Sequence, residues 1–527
     1  MWPVRSSLSP LVAVVIFVSV ADCLVESSSV SCAVRKEISP CTCQNKPFIS
    51  QGRTVDVSCE RMTSFEQVLD AVKKKFEPDV QINMKISYST LDDLPQMSFN
   101  QMGLKIFSLD LNDNNITSLP ESVFMGMGQW AEHLGLSNNP LGAVPHSVLA
   151  LMPRLKVLDL QRANITNITS ADFQGLASLR NLLLKENEIE LLEEDSLPTK
   201  LHKLQLGGNR IKSLNGTVRK MSELEWLIIN HNRIESLDGE LPCATPNDKL
   251  QLLVADDNQL VSLPDSMHNF KRLDYANFHR NNITSLNRTL AKNRLLTYLN
   301  LEANHISTLV ENEFSDLEQL KDILLGWNRI EWLNGSLVPL KTLRTLNLTH
   351  NAIGHFSFQE LAGLTQLKMV DLSHNDMHTL TSRTQNQVES EVRIVELRLQ
   401  FNKLSRLSGA LSGLSGLNRL NLSHNLIEVI QPNDLIGLDD LKILDVSYNK
   451  LLTLEETSKT LLPRLEELRA SHNAIRVLEH DFYGLPRLCW ADLSHNDILT
   501  VDPTLTDNTR CQLHGVNSTL RIYLHGE

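Results

Sequence analysis

The sequence predicts an α/β solenoid whose successive turns each add one short strand to a long parallel β-sheet, and three observations carry that reading. A pattern L-x-L-x-x-N-x-I/L-x-x-L returns along most of the 527 residues, as in LDLNDNNITSL from Leu109, LQLGGNRIKSL from Leu204 and LNLSHNLIEVI from Leu420. The chain is 42% hydrophobic but only 5% aromatic, which suits a regular interior built from aliphatic side chains. Cysteines stand in front of and behind the repeated region, where the end turns of a stack need covering.

In chain order, the first element is a secretory signal. Arg5 supplies its positive end, Leu11 to Val20 is a ten-residue apolar run, and Ser19, Ala21 and Cys23 are small residues suited to cleavage. The run is too short to span a membrane. No later stretch approaches twenty apolar residues, and the ending TLRIYLHGE lacks a hydrophobic anchor tail. The expectation is a secreted protein of the extracellular space with no membrane span. Residues 1–23 are assigned to the signal peptide, 24–79 to a cysteine-rich N-terminal cap, 80–500 to the repeats and 501–527 to a short C-terminal cap.

The front cap carries Cys32, Cys41, Cys43 and Cys59, which in an exported chain read as a two-disulfide clip with three connectivities open. An oxidising route disfavours a zinc site at Cys41-Thr-Cys43. Behind the repeats, Cys489 and Cys511 are expected to pair, and Leu520–Leu524 to add a closing strand. Cys243 is left over, offering a bridge to a covalent partner, a reactive thiol or a buried reduced side chain.

The repeats follow from elementary geometry. In L-x-L the leucines face inward and the middle residue outward, the period-2 signature of a strand. The Asn slot recurs 18 times from Ser89 to Asn496, and the interval from Asn114 to Asn496 sets about 24 residues per turn. Asn at the bend can bond backbone groups that the turn leaves unpaired, so a ladder of Asn side chains is expected, broken at Ser89 and Ala163 with looser packing there. Phe99, Phe124, Phe173 and Phe314, ten residues after their slots, should plug the far side of the core. At about 4.8 Å per strand the sheet runs roughly 85 Å.

These residues resemble the extracellular leucine-rich-repeat superfamily in its longer, Phe-containing subtype, over about residues 80–500. The resemblance implies a horseshoe with strands on the concave face. The front cysteines resemble the N-terminal flanking module of that superfamily, which implies Cys32–Cys43 and Cys41–Cys59. The stretch EISPCTC, Cys59 and the helix-like Phe65–Phe76 are similar to arthropod secreted repeat proteins, a group that includes the non-catalytic subunit of a decapod luciferase.

Function classes narrow accordingly. A net charge of −12, with both signs mixed along the chain, argues against a nucleic-acid surface. The sequence has no G-x-S-x-G, H-E-x-x-H, P-loop or EF-hand motif, so no enzyme activity, metal or cofactor is expected. The expectation is a recognition protein for an extracellular or cell-surface protein, in adhesion, reception or the matrix. An accessory subunit of a secreted enzyme is the alternative.

The strand positions four and two before the slot should face outward as a binding surface: Asp110 and Asn112, Asp159 and Gln161, Asn277 and His279, Asn300 and Glu302, Asp371 and Ser373, Arg398 and Gln400, Asp445 and Ser447. Trp327, Phe401 and Tyr448, one before the slot, are the aromatic anchors of that surface. Histidine shares their position at His231, His350, His374, His424, His472 and His495. That pattern is either a metal- or pH-sensing ladder or simply a favoured way to write the turn. Ten sequons are candidate glycosylation sites: Asn115, Asn164, Asn167, Asn215, Asn282, Asn287, Asn334, Asn347, Asn421 and Asn517. Glycans at Asn347 and Asn421 would stand on the concave face and direct a large ligand toward the N-terminal half. A long polar insertion, TSRTQNQVESEV, is a solvated loop, a contact or a protease-sensitive site.

Overall fold

The computed structural model describes residues 38–45, 54–91, 97–243, 248–382, 392–454, 461–513 and 516–525. The signal peptide, Cys23, Cys32 and residues 383–391 of the polar insertion lie outside the described residues.

Twenty-one strands form one sheet. The 18 repeat strands, from Gln81–Ser87 to Trp490–Asp492, pair in chain order, with inward residues in register as in Leu109, Leu134, Leu158 and Leu182. Most are three residues long, with a buried centre between half-buried neighbours, as L-x-L requires. Pairing is parallel because each turn returns to the same edge before starting the next strand. Thr54–Glu60 extends the sheet in parallel at the front, and Thr42–Asn45 closes it antiparallel. At the back Arg521–Tyr523, within the expected Leu520–Leu524, pairs in parallel with Trp490–Asp492.

The fold is a leucine-rich-repeat β-solenoid in which helix is scarce. The back of each turn holds turns, 3-10 segments and single-turn helices such as Glu121–Phe124 and His146–Leu149. A turn of about 24 residues spends its length on a strand and two corners, leaving too little for a stable helix of about 12 residues. Among the described residues the longest helix is Phe65–Val72 in the front cap, started by Ser64, whose hydroxyl accepts the Gln67 N–H at 3.3 Å. It stops before the expected Phe76 because Lys73 turns extended and Lys74 adopts a left-handed φ of 57°.

One hydrophobic core runs from Ile38 to Leu505. Phe99, Phe124, Phe173 and Phe314 are buried in it, and Phe65, Phe99 and Phe124 meet edge to face at 5.9 and 6.5 Å.

The Asn ladder is the polar counterpart of this core. Asn304 is representative: Nδ2 donates to the carbonyls of Phe278, Leu301 and Glu302 at 2.9–3.2 Å, and Oδ1 accepts the Ile283 N–H at 3.0 Å. One side chain thereby serves four backbone groups in two adjacent turns, which leaves little of the buried bend unpaired. The expected break at Ser89 does not occur, because its hydroxyl accepts the Met62 N–H and donates to the Ser87 carbonyl, both at 2.9 Å. Ala163 does break the ladder, yet the expected looser packing is absent. Leu141 N–H turns to the Asn139 carbonyl at 2.8 Å, and Ala163 stays fully buried.

Cys41 is bonded to Cys59 and Cys489 to Cys511. Cys43 is also disulfide-bonded, and Cys32, its implied partner, lies outside the described residues. Cys243 is a free, exposed thiol, so the buried alternative does not hold.

Candidate functional site

The concave face is built from columns of residues that repeat at fixed offsets from the Asn slot, and the structure gives each column its own task. Four before the slot, the expected free polar contacts are turned onto their own backbone. Asp110, Asp159, Asn277 and Asn300 accept the N–H groups of Asn112, Gln161, His279 and Glu302 at 2.9–3.1 Å. Asp371 and Asp445 repeat the bond to Ser373 and Ser447 at 3.0 Å. The strand has ended at that N–H, and a short Asp or Asn side chain closes it as in an Asx turn. These residues end strands, and Asn300 and Asp371 are buried. Arg398 is held between Asp371 at 3.3 Å and Glu396 at 2.6 Å.

Two before the slot, side chains lie half-buried in the trough. Asn112 Oδ1 accepts the Ser137 N–H at 2.5 Å, and the Gln161 amide donates to Asp159 at 3.1 Å. Glu302 reaches past Gly326, which has no side chain to block it, and accepts the Asn347 amide at 2.6 Å. That Nδ2 is the atom a glycan at Asn347 would use. Burial moves the carboxyls of Asp159, Asp256 and Glu302 upward from their ordinary values, and moves His279 downward.

Six before the slot lies the column that sequence reasoning missed. Trp226, Leu252, Tyr275 and Tyr298 stand side by side in register, with Ile228 and Val254 beside the first two. All are half-buried on the trough floor. Lys203 sits over the Trp226 ring at 3.6 Å, and the two tyrosines stack at 4.6 Å and 3°. Burial raises both phenols from their ordinary value, keeping them neutral donors. The signal that could have found them is aromatic and aliphatic residues at the outward position preceding L-x-L in consecutive turns.

One before the slot, every residue from Tyr88 to His495 sits in the left-handed region, with φ of 49–70°. Trp327, His350, His374, Phe401, His424, Tyr448, His472 and His495 form an unbroken stack, with centroids 3.6–4.2 Å apart and planes within 16°. Trp327, Phe401 and Tyr448 are 58%, 43% and 45% exposed, yet histidines cover their faces. They present edges to solvent.

In the N-terminal half the same rim is charged. His231, Asp256 and Asp257 come together there, the group among the described residues with the ligand types for a metal ion. Their donors are already engaged: His231 Nδ1 with the Asn230 amide at 3.0 Å, Asp256 with Asn277 at 3.1 Å and Asp257 with Arg280 at 2.9 Å. The group is a closed ion-pair network.

The sequon asparagines are exposed except Asn347 and Asn421, which are half-buried on the trough floor.

Such a column-built concave sheet defines a solenoid of the leucine-rich-repeat class. The family described as "Leucine rich repeat" matches residues 131–189, 334–377, 393–451 and 440–498. Fibromodulin of Oryctolagus cuniculus is 33% identical over 129 residues, 24% of this chain and 81% of that sequence. The chain belongs to the leucine-rich-repeat proteins. Toll-like receptor 3 of Boselaphus tragocamelus is 24% identical over 61% of this chain, and podocan-like protein 1 of Mus musculus 28% identical over 66%. The chain spans only 38% and 57% of those two relatives. Among solved structures, Toll in the Drosophila Toll–Spatzle complex superposes with a TM-score of 0.55 at 17% identity, covering 90% of this chain and 92% of that one. The Arabidopsis receptor kinase HAESA gives 0.53 at 21% identity over 88% of this chain and 86% of that one. Both likenesses concern the fold. Among the described residues no helix is long and apolar enough to cross a membrane.

Proposed function

We propose that the protein is a secreted, extracellular, non-enzymatic recognition protein that binds a protein partner in its concave trough, in adhesion, reception or the matrix. The observation that carries this reading is the floor patch of Trp226, Ile228, Leu252, Val254, Tyr275 and Tyr298. Half-buried aromatics held rigid by a sheet, with neutral phenols beside them, are the composition of an interface centre. Ion-paired Lys249–Glu223 and Arg280–Asp257 on neighbouring turns suit a polar rim. The relatives include receptors by name, and the two superposing structures are described as complexes with Spatzle and with a peptide hormone. In this reading residues 1–23 are removed as the signal peptide, 24–79 and 501–527 cap the ends, and 80–500 recognise the partner. The sequons carry glycans, those at Asn347 and Asn421 leaving the patch on the N-terminal side open.

The test is affinity capture from native extracellular fluid with wild-type protein and a Trp226→Ala/Tyr275→Ala control. A partner held by wild type is expected to lose roughly 30-fold or more in affinity with the control, the effect of removing interface hot spots. Undiminished binding by the control sinks the trough as the site.

A second reading, an accessory subunit covalently attached to a secreted enzyme, rests on the free and exposed Cys243 and on the cap's likeness to the luciferase subunit. Here a complex seen on non-reducing gels should vanish on reduction and with Cys243→Ser.

A further inference from the structure

The rim stack from Trp327 to His495 is a consequence of the repeat. Strands recur at about 4.8 Å. Each ring springs from the same left-handed backbone, with φ of 52–56°, so successive planes come out parallel. Seven steps of 3.6–4.2 Å make a column of roughly 28 Å in which five of eight rings are imidazoles. We propose that this column is an acid-sensitive brace: at neutral pH it stiffens the C-terminal half of the solenoid, and protonation of its histidines loosens that half more than the N-terminal half.

The spacing makes charge costly. His350 and His374 are adjacent at 4.0 Å, and so are His472 and His495 at 4.1 Å. Two unit charges about 4 Å apart repel several-fold more strongly at the effective dielectric of a protein surface than in bulk water. A single imidazolium beside Trp327, Phe401 or Tyr448 gains some cation–π attraction, so the first proton is tolerated and its neighbour is opposed. His424 lies between Phe401 at 4.0 Å and Tyr448 at 4.2 Å, so both its faces are covered.

The acids facing the column do not cancel this. Asp371 faces His350 and His374 but is engaged by Ser373 at 2.6 Å and Arg398 at 3.3 Å. Asp445 faces His424, with Arg469 at 3.9 Å, and Asp492 faces His472 and accepts Ser494 at 2.6 Å. On the segments leaving the rim, Lys403 and Asp376 pair at 2.5 Å, and Lys450 and Asp497 hold the corresponding positions of later turns. Burial, and for three of them a neighbouring histidine, leave His350, His374, His424 and His472 below the ordinary imidazole value. The folded stack therefore favours neutral rings. Its contribution is complete above about pH 6.5 and is lost as pH falls through that value toward the lower folded ones, because the opened chain then binds more protons.

The experiment uses the full secreted chain at a series of pH values from 5 to 8, followed by mass spectrometry, with amide exchange compared at pH 7.5 and 5.5. Imidazole C2 exchange reads the titration midpoints, and amide exchange, corrected for intrinsic rates, reads opening. Midpoints below 6.5 are expected for His350, His374, His424 and His472, with acid-accelerated exchange in peptides from 327–500 that exceeds that from 109–304, where the lowered His133 and His279 are opposed by the raised Asp159, Asp256 and Glu302. Each imidazole lowered by one unit adds up to about tenfold to opening once both of its values are passed. His374→Phe keeps a ring but removes its proton, and should visibly reduce the acceleration. Midpoints at or above 6.5, equal responses of the two halves, or an unchanged response in H374F would overturn the proposal. If H374F does not fold, the wild-type midpoints decide.

Discussion

The two halves of the rim use one backbone slot for opposite chemistry. From Asp113 to Arg280 the left-handed position carries, apart from Gly208, polar and charged side chains: Asn138 donates to Asp113 at 2.6 Å, Arg162 pairs with Glu186, and Asp257 pairs with Arg280 at 2.9 Å. From Trp327 to His495 it carries stacked rings. Non-glycine residues there cost roughly 1–2 kcal/mol each in local sterics. Both halves accept that cost, so something common to both must hold the bend. That element is the Asn ladder directly behind it, identical at Asn209 and at Asn402. The comparison separates a shared structural device from a variable surface one. Side chains a strand spacing apart can satisfy one another either by opposite charge or by stacking, and the two solutions answer differently to salt and to acid.

The largest expected effect tests the shared device. Asn402→Ala leaves the Met377 N–H without its acceptor and takes one donor from each of the carbonyls of Leu372, Leu399 and Gln400, which keep Asn375, Asn425 and the His374 N–H. Asn209→Ala likewise leaves the Ile189 N–H without its acceptor and takes one donor from each of the Leu184, Leu206 and Gly207 carbonyls, which keep Asn187, Asn232 and the Glu186 N–H. Each should cost about 2–3 kcal/mol of local stability by amide exchange, alike in the two halves. A large difference between them would show that the rim, not the ladder, holds the bend. Next comes Phe401→Ala, which removes both ring contacts and should cost about 1–3 kcal/mol in its own and adjoining turns. Glu186→Ala in the charged half should cost under about 1 kcal/mol, although Arg162 and Lys185 hold the Glu186 carboxyl down to about 2. Equal costs would erase the distinction. Smallest is the effect of salt: raising sodium chloride from 0.05 to 0.5 M should change the charged rim by a few tenths of a kcal/mol and leave the stack unmoved. Exchange in peptides around Arg162 and around Phe401 measures both.

The period, the inward leucines and the Asn ladder were legible because each depends on identity at a fixed offset. The aromatic floor at Trp226, Tyr275 and Tyr298 was not, because one outward aromatic says nothing until adjacent turns bring three strands into register. Asp110 and Asp159 misled for a related reason. A short acid after a strand reads equally as a ligand contact or as a turn closer, and only the Oδ1-to-N–H distance of 3.0 Å decides. The histidines preceding the slot were visible from the start, but their offset alone does not orient a ring. Stacking required the left-handed φ that every turn shares.

The sequence by itself determined the solenoid, its turn count and the residues that line its core, since all three follow from apolar periodicity and a polar residue at each bend. Only the tertiary structure decided which outward side chains serve the backbone, which face the trough and which cover one another. Those outcomes depend on contacts between residues about 24 positions apart, and strand register sets them.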